Sequence, residues 1–300
     1  MLILIAANIA SALGGHRAGS GWMARCPAHE DSTPSLAISV TSDGRLLVYC
    51  HAGCSQVVVI AKLRDRGLWP PEIPNNRPIR TRFANARVAE ADAHASRMRI
   101  ARALQVWCEA LPSAETLVEV YLHSRAITIK PPASLRFHAQ LRHRSGATWP
   151  VMIGIVTSGA GNRPIGVHRT WLARDGRGKA PIEPNKMMLG PCRGGAVRLA
   201  PASSPLMIGE GIETCLAAMQ ATGHPTWAAL STSGMRALVL PDAVREVIVL
   251  ADGDPPGEQA AAAAAQRWAR EGRRVRIARA PHGKDFNDLL IATCFDETRA

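Results

Sequence analysis

No stretch of this sequence approaches the roughly 18 uncharged apolar residues of a membrane-spanning helix, which excludes an integral helical membrane protein. No G-x-x-x-x-G-K-[ST] loop occurs, so no P-loop motor lies within these 300 residues. A disulfide framework is missing as well. The seven cysteines are odd in number, three of them clustered and four scattered, which fits a reducing, cytoplasmic setting. The opening MLILIAANIASALGG is apolar but lacks the basic region of a secretory signal. It reads as a short amphipathic helix ending at Gly14-Gly15.

What is present in excess is positive charge, +12 in total, and it is unevenly placed. Residues 1–113 carry +5, residues 114–200 carry +9 and residues 201–300 carry −2. A basic middle joined to a slightly acidic end predicts a polyanion partner for the first and a cation site in the second. Free use of arginine by a GC-rich genome accounts for part of the excess.

Near the N-terminus, Cys26-x2-His29 is followed by Cys50-x3-Cys54. Two close pairs separated by a potential hairpin suit tetrahedral Zn²⁺, which accepts thiolate and imidazole together. PSLAISV and GRLLVYC read as the hairpin strands, joined by the turn signal TSDG. Four protein ligands leave no open position, so the zinc is expected to be structural. His51 adjoins Cys50 and is an alternative fourth ligand. CPAHEDSTPSL and YCHAGC resemble the CHC2-type zinc ribbon at the N-terminus of bacterial and phage primases, over about residues 20–65. That resemblance implies contact with single-stranded template DNA.

GLWPPEIPNNRPIRTRF, rich in Pro, Asn and Arg, marks a candidate hinge at about 69–85, followed by a helical segment to about Ala110. AETLVEVYLHSRAI has helical spacing. From Ser134 to Ala200 the pattern changes to short strands and glycine turns: SLRFH, TWPVMIGIV, RPIGVHRTWL and GAVRL. Basic residues Arg125, Arg136, Arg169, Arg174, Lys179, Lys186, Arg193 and Arg198 are set among them. Arginine suits bidentate phosphate contacts and lysine point contacts. Arg169, Lys179 and Lys186 flank turns where backbone can approach a ligand, and they are the candidates for holding DNA or a triphosphate. The plainer alternative is a set of solvated strand faces.

From Pro205 strands and helices alternate: PLMIG, IETCLAAMQAT, PTWAAL, REVIVLA, PGEQAAAAAAQRWAREG and RRVRIARA. Alternation of this kind predicts a parallel sheet covered by helices, with ligands at the carboxyl ends of the strands. Glu210 ends one predicted strand and Asp252-Gly253-Asp254 ends another. Carboxylates at i and i+2 of extended backbone face one point. Together with Glu210 they form a site for Mg²⁺ or Mn²⁺, hard cations that take oxygen ligands. Gly253 is expected to let the backbone turn. The plainer reading is an aspartate that caps the next helix.

This pattern resembles the Toprim domain, shared by DnaG-type primases, topoisomerases and some nucleases, over about residues 203–293. The resemblance rests on Glu210-Gly211 and ADGD. HGKDFNDLL is similar to the segment that closes primase-type members, which implies that Lys284 and Asp285 help hold nucleotide or metal. GIETCLAAM and GKDFNDLL resemble segments of Toprim proteins of phages, plasmids and mobile elements. The fold class expected is α+β multidomain. It comprises a zinc ribbon over 1–68, a linker and helical segment over 69–113, a basic primase-core lobe over 114–202 and an α/β Toprim domain over 203–300.

The order of these parts resembles a primase core. It implies a DNA primase, a DNA-directed nucleotidyltransferase that makes short RNA primers from NTPs on single-stranded DNA, with a separate replicative helicase as partner. A Toprim nuclease and a non-catalytic single-stranded DNA-binding protein are the alternatives. A topoisomerase is disfavoured because it needs a catalytic tyrosine on a further domain. The only tyrosines are Tyr49, beside a proposed zinc ligand, and Tyr121, in a predicted helix.

Overall fold

The computed structural model describes residues 2–41, 45–70, 82–159 and 161–297. It divides into two compact units, Met1–Ala84 and Asn85–Ala300. The TSDG turn and the hinge fall largely outside the described residues.

In the first unit, α1 (Leu2–Ala12) precedes a four-stranded antiparallel sheet of β1 (His16–Ala18), β2 (Gly21–Ala24), β3 (Leu36–Val40) and β4 (Leu46–Cys50), in that order across the sheet. α2 (Gln56–Asp65) follows, capped at its N-terminus by Ser55, whose hydroxyl accepts from the Val58 amide. α1 ends where Gly14 takes a left-handed φ of 64°, which glycine adopts at no steric cost. Ile9 and Ala10 of α1 and Val59 and Leu63 of α2 bury themselves with Ala24, Leu36, Ile38, Val48 and Cys50. Alternate residues of β4, Leu47 and Tyr49, remain exposed, as a sheet covered on one face requires.

The second unit begins within the long helix α3 (Arg82–Glu109), followed by β5 (Leu111–Pro112), α4 (Leu117–Ser124), β6 (Leu135–Arg142), β7 (Thr148–Ser158), β8 (Pro164–Trp171), β9 (Lys186–Leu189) and β10 (Gly195–Arg198). Then come β11 (Leu206–Gly209), α5 (Ile212–Thr222), β12 (Thr226–Ala228), α6 (Thr232–Ala237), β13 (Glu246–Ala251), α7 (Pro255–Arg270), β14 (Arg274–Arg279) and α8 (Phe286–Glu297). β14, β13, β11 and β12 run parallel, as the alternation from Pro205 predicts. β12 then pairs antiparallel with β10, which joins β7, so the basic half and the acidic half share one ten-stranded sheet.

Period-2 alternation sorts this sheet into two faces. Met152, Val197, Met207 and Leu250 pack with Tyr121 and Leu122 of α4 and with Cys215 and Leu216 of α5. On the other face, Leu206, Ile208, Val247 and Val249 pack under α6 and α7 around Trp268. Val151, Ile153, Val167 and Trp171 pack with Ala103 of α3 on that same side. The result is a three-layer arrangement in which every strand of the central run is buried on both faces, hence the near-continuous apolar sequences of β7, β11 and β13.

Candidate metal centres

The hairpin of the first unit brings Cys26, His29, Cys50 and Cys54 together, with all four donor atoms within 4.8 Å of one another. Zinc–sulfur bonds of about 2.3 Å in a tetrahedron put neighbouring ligand atoms about 3.8 Å apart, so the donor set fits zinc. Among the described residues this is the one group of its kind. Burial, followed by the company of Cys50 and Cys54, pushes the Cys26 thiol up to about 12, a crowding that a bound cation relieves. His51 is exposed and lies edge-on to Tyr49, 5.0 Å between ring centres, so Cys50 and not His51 completes the set.

His29 presents Nδ1 to the thiols, 3.2 Å from Cys54 Sγ and 3.9 Å from Cys50 Sγ. Its Nε2 lies 3.6 Å from Asp31 Oδ1. The other carboxylate oxygen of Asp31 accepts from the Cys26 amide at 2.6 Å, the Ser35 amide at 3.2 Å and the Ser35 hydroxyl at 2.6 Å. Burial acts to raise the Asp31 carboxyl, but these hydrogen bonds outweigh it and hold the group below its usual range. Asp31 was not among the residues singled out from the sequence. Its signal was position, two residues past a ligating histidine.

In the second unit, β11 and β13 are adjacent and parallel, so their carboxyl ends deliver Glu210 and Asp252 to one edge of the sheet. Asp252 is half-buried, and one of its oxygens, Oδ1, is buried without a hydrogen-bond partner. Burial, then the neighbouring charges of Asp285, Glu210 and Asp254, raises its carboxyl to about 7, with Lys186 acting in the opposite sense. Glu210 is raised by burial and by Asp254. A buried, orphaned carboxylate oxygen among like charges fits a divalent cation.

Asp254 also performs the plainer role. It is exposed, and its Oδ1 accepts from the Gly257 amide at 2.7 Å as the N-cap of α7. The backbone bends at Gly253 as expected, but without a left-handed φ, so what requires glycine there is close approach. Its amide donates to Lys284 O at 2.9 Å and its carbonyl accepts from the Gly283 amide at 2.7 Å, and a Cβ there would collide with the backbone of Pro281. HGKDFNDLL is therefore stitched to ADGD by main chain. Asp285 caps α8 reciprocally with Asp288, while Lys284 is exposed. Asn287 is fully buried and its amide donates to the carbonyl of Arg125 at the end of α4.

The three basic candidates separate. Lys179 and Lys186 both reach Glu213, at 3.8 Å and 3.3 Å. Arg169 alternates on β8 with Val167 and Trp171, on the α3 side of the sheet, where its guanidinium lies 5.1 Å over the Trp171 ring and donates to Met188 O. Arg198 is structural: it covers Trp227 at 4.1 Å and donates to the carbonyls of Ser158, Gly159 and Gly161. Arg136 and Arg174 likewise lie over Trp107 and Trp149. Glu213 was missed in the sequence, because a glutamate in the first turn of a helix is ordinary and carries no signal of burial.

Among known families, residues 97–199 match a domain of unknown function (DUF7146) and residues 205–295 match the Toprim domain. No curated protein matches the chain. The zinc-binding and RNA polymerase domains of Aquifex aeolicus primase are similar at 18% identity, covering 98% of this chain and 81% of that one, with a TM-score of 0.38. The primase fragment of the bacteriophage T7 primase-helicase is similar at 13% identity, covering 90% and 95%, with a TM-score of 0.39. The RNA polymerase domain of Mycobacterium tuberculosis primase DnaG in complex with double-stranded DNA is similar at 16% identity, covering 72% and 80%, with a TM-score of 0.37. By its family match and its parallel strands, the C-terminal part of this chain, residues 205–295, is a Toprim domain.

Proposed function

We propose that this chain is a DNA primase, joining ribonucleotides on single-stranded DNA by metal-dependent nucleotidyl transfer. The observation that carries this reading is Asp252: a half-buried carboxylate with an orphaned oxygen, crowded by Glu210, Asp254 and Asp285 at the carboxyl edge of a Toprim sheet. Glu210, Asp252 and Asp254 would hold Mg²⁺ or Mn²⁺. When bound, that ion supplies charge neutralisation at the transferring phosphate and a lowered pKa at the attacking 3′-hydroxyl.

The chain's own contribution is positioning and charge. Lys186 lies close enough to lower the carboxyls of both Glu210 and Asp252, which puts an ammonium beside the place where a triphosphate would sit. Lys179 extends that positive edge. The Cys26/His29/Cys50/Cys54 ribbon supplies a folded surface for template without taking part in the chemistry. A role in phage, plasmid or mobile-element replication, alongside a separate helicase, belongs to the same reading.

The test is primer synthesis on single-stranded DNA with labelled NTPs and Mg²⁺ or Mn²⁺, comparing the native chain with Asp252→Ala and following template integrity in the same reaction. Short products that disappear in the variant support the primase. Template degradation without primers supports the nuclease, and DNA binding without either reaction leaves a binding protein.

A further inference from the structure

Glu213 is the most deeply buried acidic side chain near the acidic edge. The residue is 4% exposed, yet it sits three positions after a carboxylate assigned to metal. Burial of a charge is costly unless the charge is fully compensated. Here compensation is complete. The Tyr121 hydroxyl donates to Oε1 at 2.6 Å, Lys179 Nζ is 3.8 Å from Oε1, and Lys186 Nζ donates to Oε2 at 3.3 Å. Tyr121 is itself 1% exposed and comes from α4, whereas Lys179 and Lys186 come from the loop after β8 and from the start of β9. Three separate segments thus converge on one carboxylate.

Two ammoniums on one carboxylate are more than neutralisation requires. The cluster keeps one net positive charge, since Tyr121 is held firmly in its neutral phenol form by burial and by Glu213. Both lysine side chains remain about one-third exposed, at 32% and 35%, so they stay accessible while their partner does not. Glu213 and Glu210 are also mechanically linked. Both belong to the β11–α5 corner, three residues apart, Glu210 just before the N-cap Gly211 and Glu213 in the first turn of α5. One rigid corner therefore fixes the metal-side carboxylate and the anchor of the lysine pair together. His168, buried on the same sheet face and kept neutral, adds no competing charge.

We propose that Glu213, held by Tyr121, is a positioning residue that fixes Lys179 and Lys186 as a pair for the phosphates of an incoming nucleoside triphosphate. This rests on the polymerase reading and deepens it. A free lysine loses much rotamer freedom on meeting a ligand, and an anchored one has lost it beforehand.

The sign of one substitution separates positioning from bulk electrostatics. Glu213→Gln keeps the shape and removes one negative charge. If charge alone mattered, ATP would bind more tightly. If Glu213 positions the lysines, ATP binds more weakly, on the order of tenfold, as loss of a charge-assisted contact network implies. Affinity is measured by calorimetric titration of the zinc-loaded full chain with ATP in Mg²⁺ buffer, with thermal melting run in parallel. Tyr121→Phe removes only the hydroxyl behind Glu213 and gives a smaller loss in the same direction. It carries the test if Glu213→Gln fails to fold. Unchanged or tighter binding by the folded variants, with normal binding by the native chain, overturns this inference alone. A native chain that binds single-stranded DNA but no ATP overturns the polymerase reading and this inference with it.

Discussion

His29 and Asp31 face each other across 3.6 Å, with the imidazole's other nitrogen turned to Cys54 Sγ at 3.2 Å. The carboxylate fixes which nitrogen meets the metal, and it is braced in turn by Ser35 and by the amide of Cys26. A backing carboxylate of this kind typically contributes 10–100-fold, roughly, to metal affinity. Asp31→Ala is therefore expected to release zinc about 10–100 times more readily in a chelator competition. Retention equal to that of the native chain would remove Asp31 from the site.

Asp254 caps α7 and is proposed to hold metal, and the two roles separate by substitution. Asp254→Asn keeps an acceptor for the Gly257 amide and removes the charge, whereas Asp254→Ala removes both. Melting of the Asn variant is expected to match the native chain, and the Ala variant to lose about 1 kcal/mol, the usual worth of an N-cap. Both are expected to lose metal-dependent activity. An active Asn variant would show that Asp254 is a cap only.

Gly253→Ala tests the stitch between ADGD and HGKD. The added methyl meets the backbone of Pro281 and Lys284, which cannot move aside as a side chain would. Urea denaturation should show a loss of about 1–3 kcal/mol, the cost of overpacking. Native stability would mean that the 281–284 segment yields.

His168 makes stability pH-dependent in a defined window. Burial, then the nearby Lys186, lowers its pKa from 6.5 to about 4. The unfolded chain takes up a proton on this residue before the folded one does, so stability is present above pH 6.5 and is lost as pH falls toward 4. His168→Gln is expected to flatten the stability–pH curve over that interval. A curve of unchanged slope would show that other groups set it.

Arg169 and Lys186 occupy opposite faces of the sheet, so their contributions to DNA binding are separable. If Arg169 contacts a phosphate, Arg169→Ala lowers the salt slope of DNA binding by about one unit. A slope equal to the native value would leave Arg169 as a packing partner of Trp171.

The zinc pairs, the Toprim strands and the carboxyl-edge position of Glu210 and Asp252 were legible because each is local. Two ligands in one turn, or apolar runs between glycines, carry their meaning within about a dozen residues. The contacts on Glu213 were not legible, since Tyr121 lies 92 positions away and hydrogen-bond partners at that range leave no periodic trace. The close approach at Gly253 was not legible for a related reason. A glycine signals either unusual dihedrals or a close neighbour, and here the neighbour, Pro281, is distant in sequence. The separation of Arg169 from Lys186 was partly readable, because strand alternation pairs Arg169 with Val167 and Trp171.

The pairing of Val197 and Arg198 with Ala228 and Trp227 has a consequence for motion. A hydrogen-bonded ladder resists bending in its own plane, so moving β9, which bears Lys186, against the strands that end at Glu210 and Asp252 means breaking ladder bonds. On the polymerase reading, a substrate at this edge is expected to be fitted by side chains and by the loop joining β8 to β9, which carries Lys179, more than by closure of one half on the other.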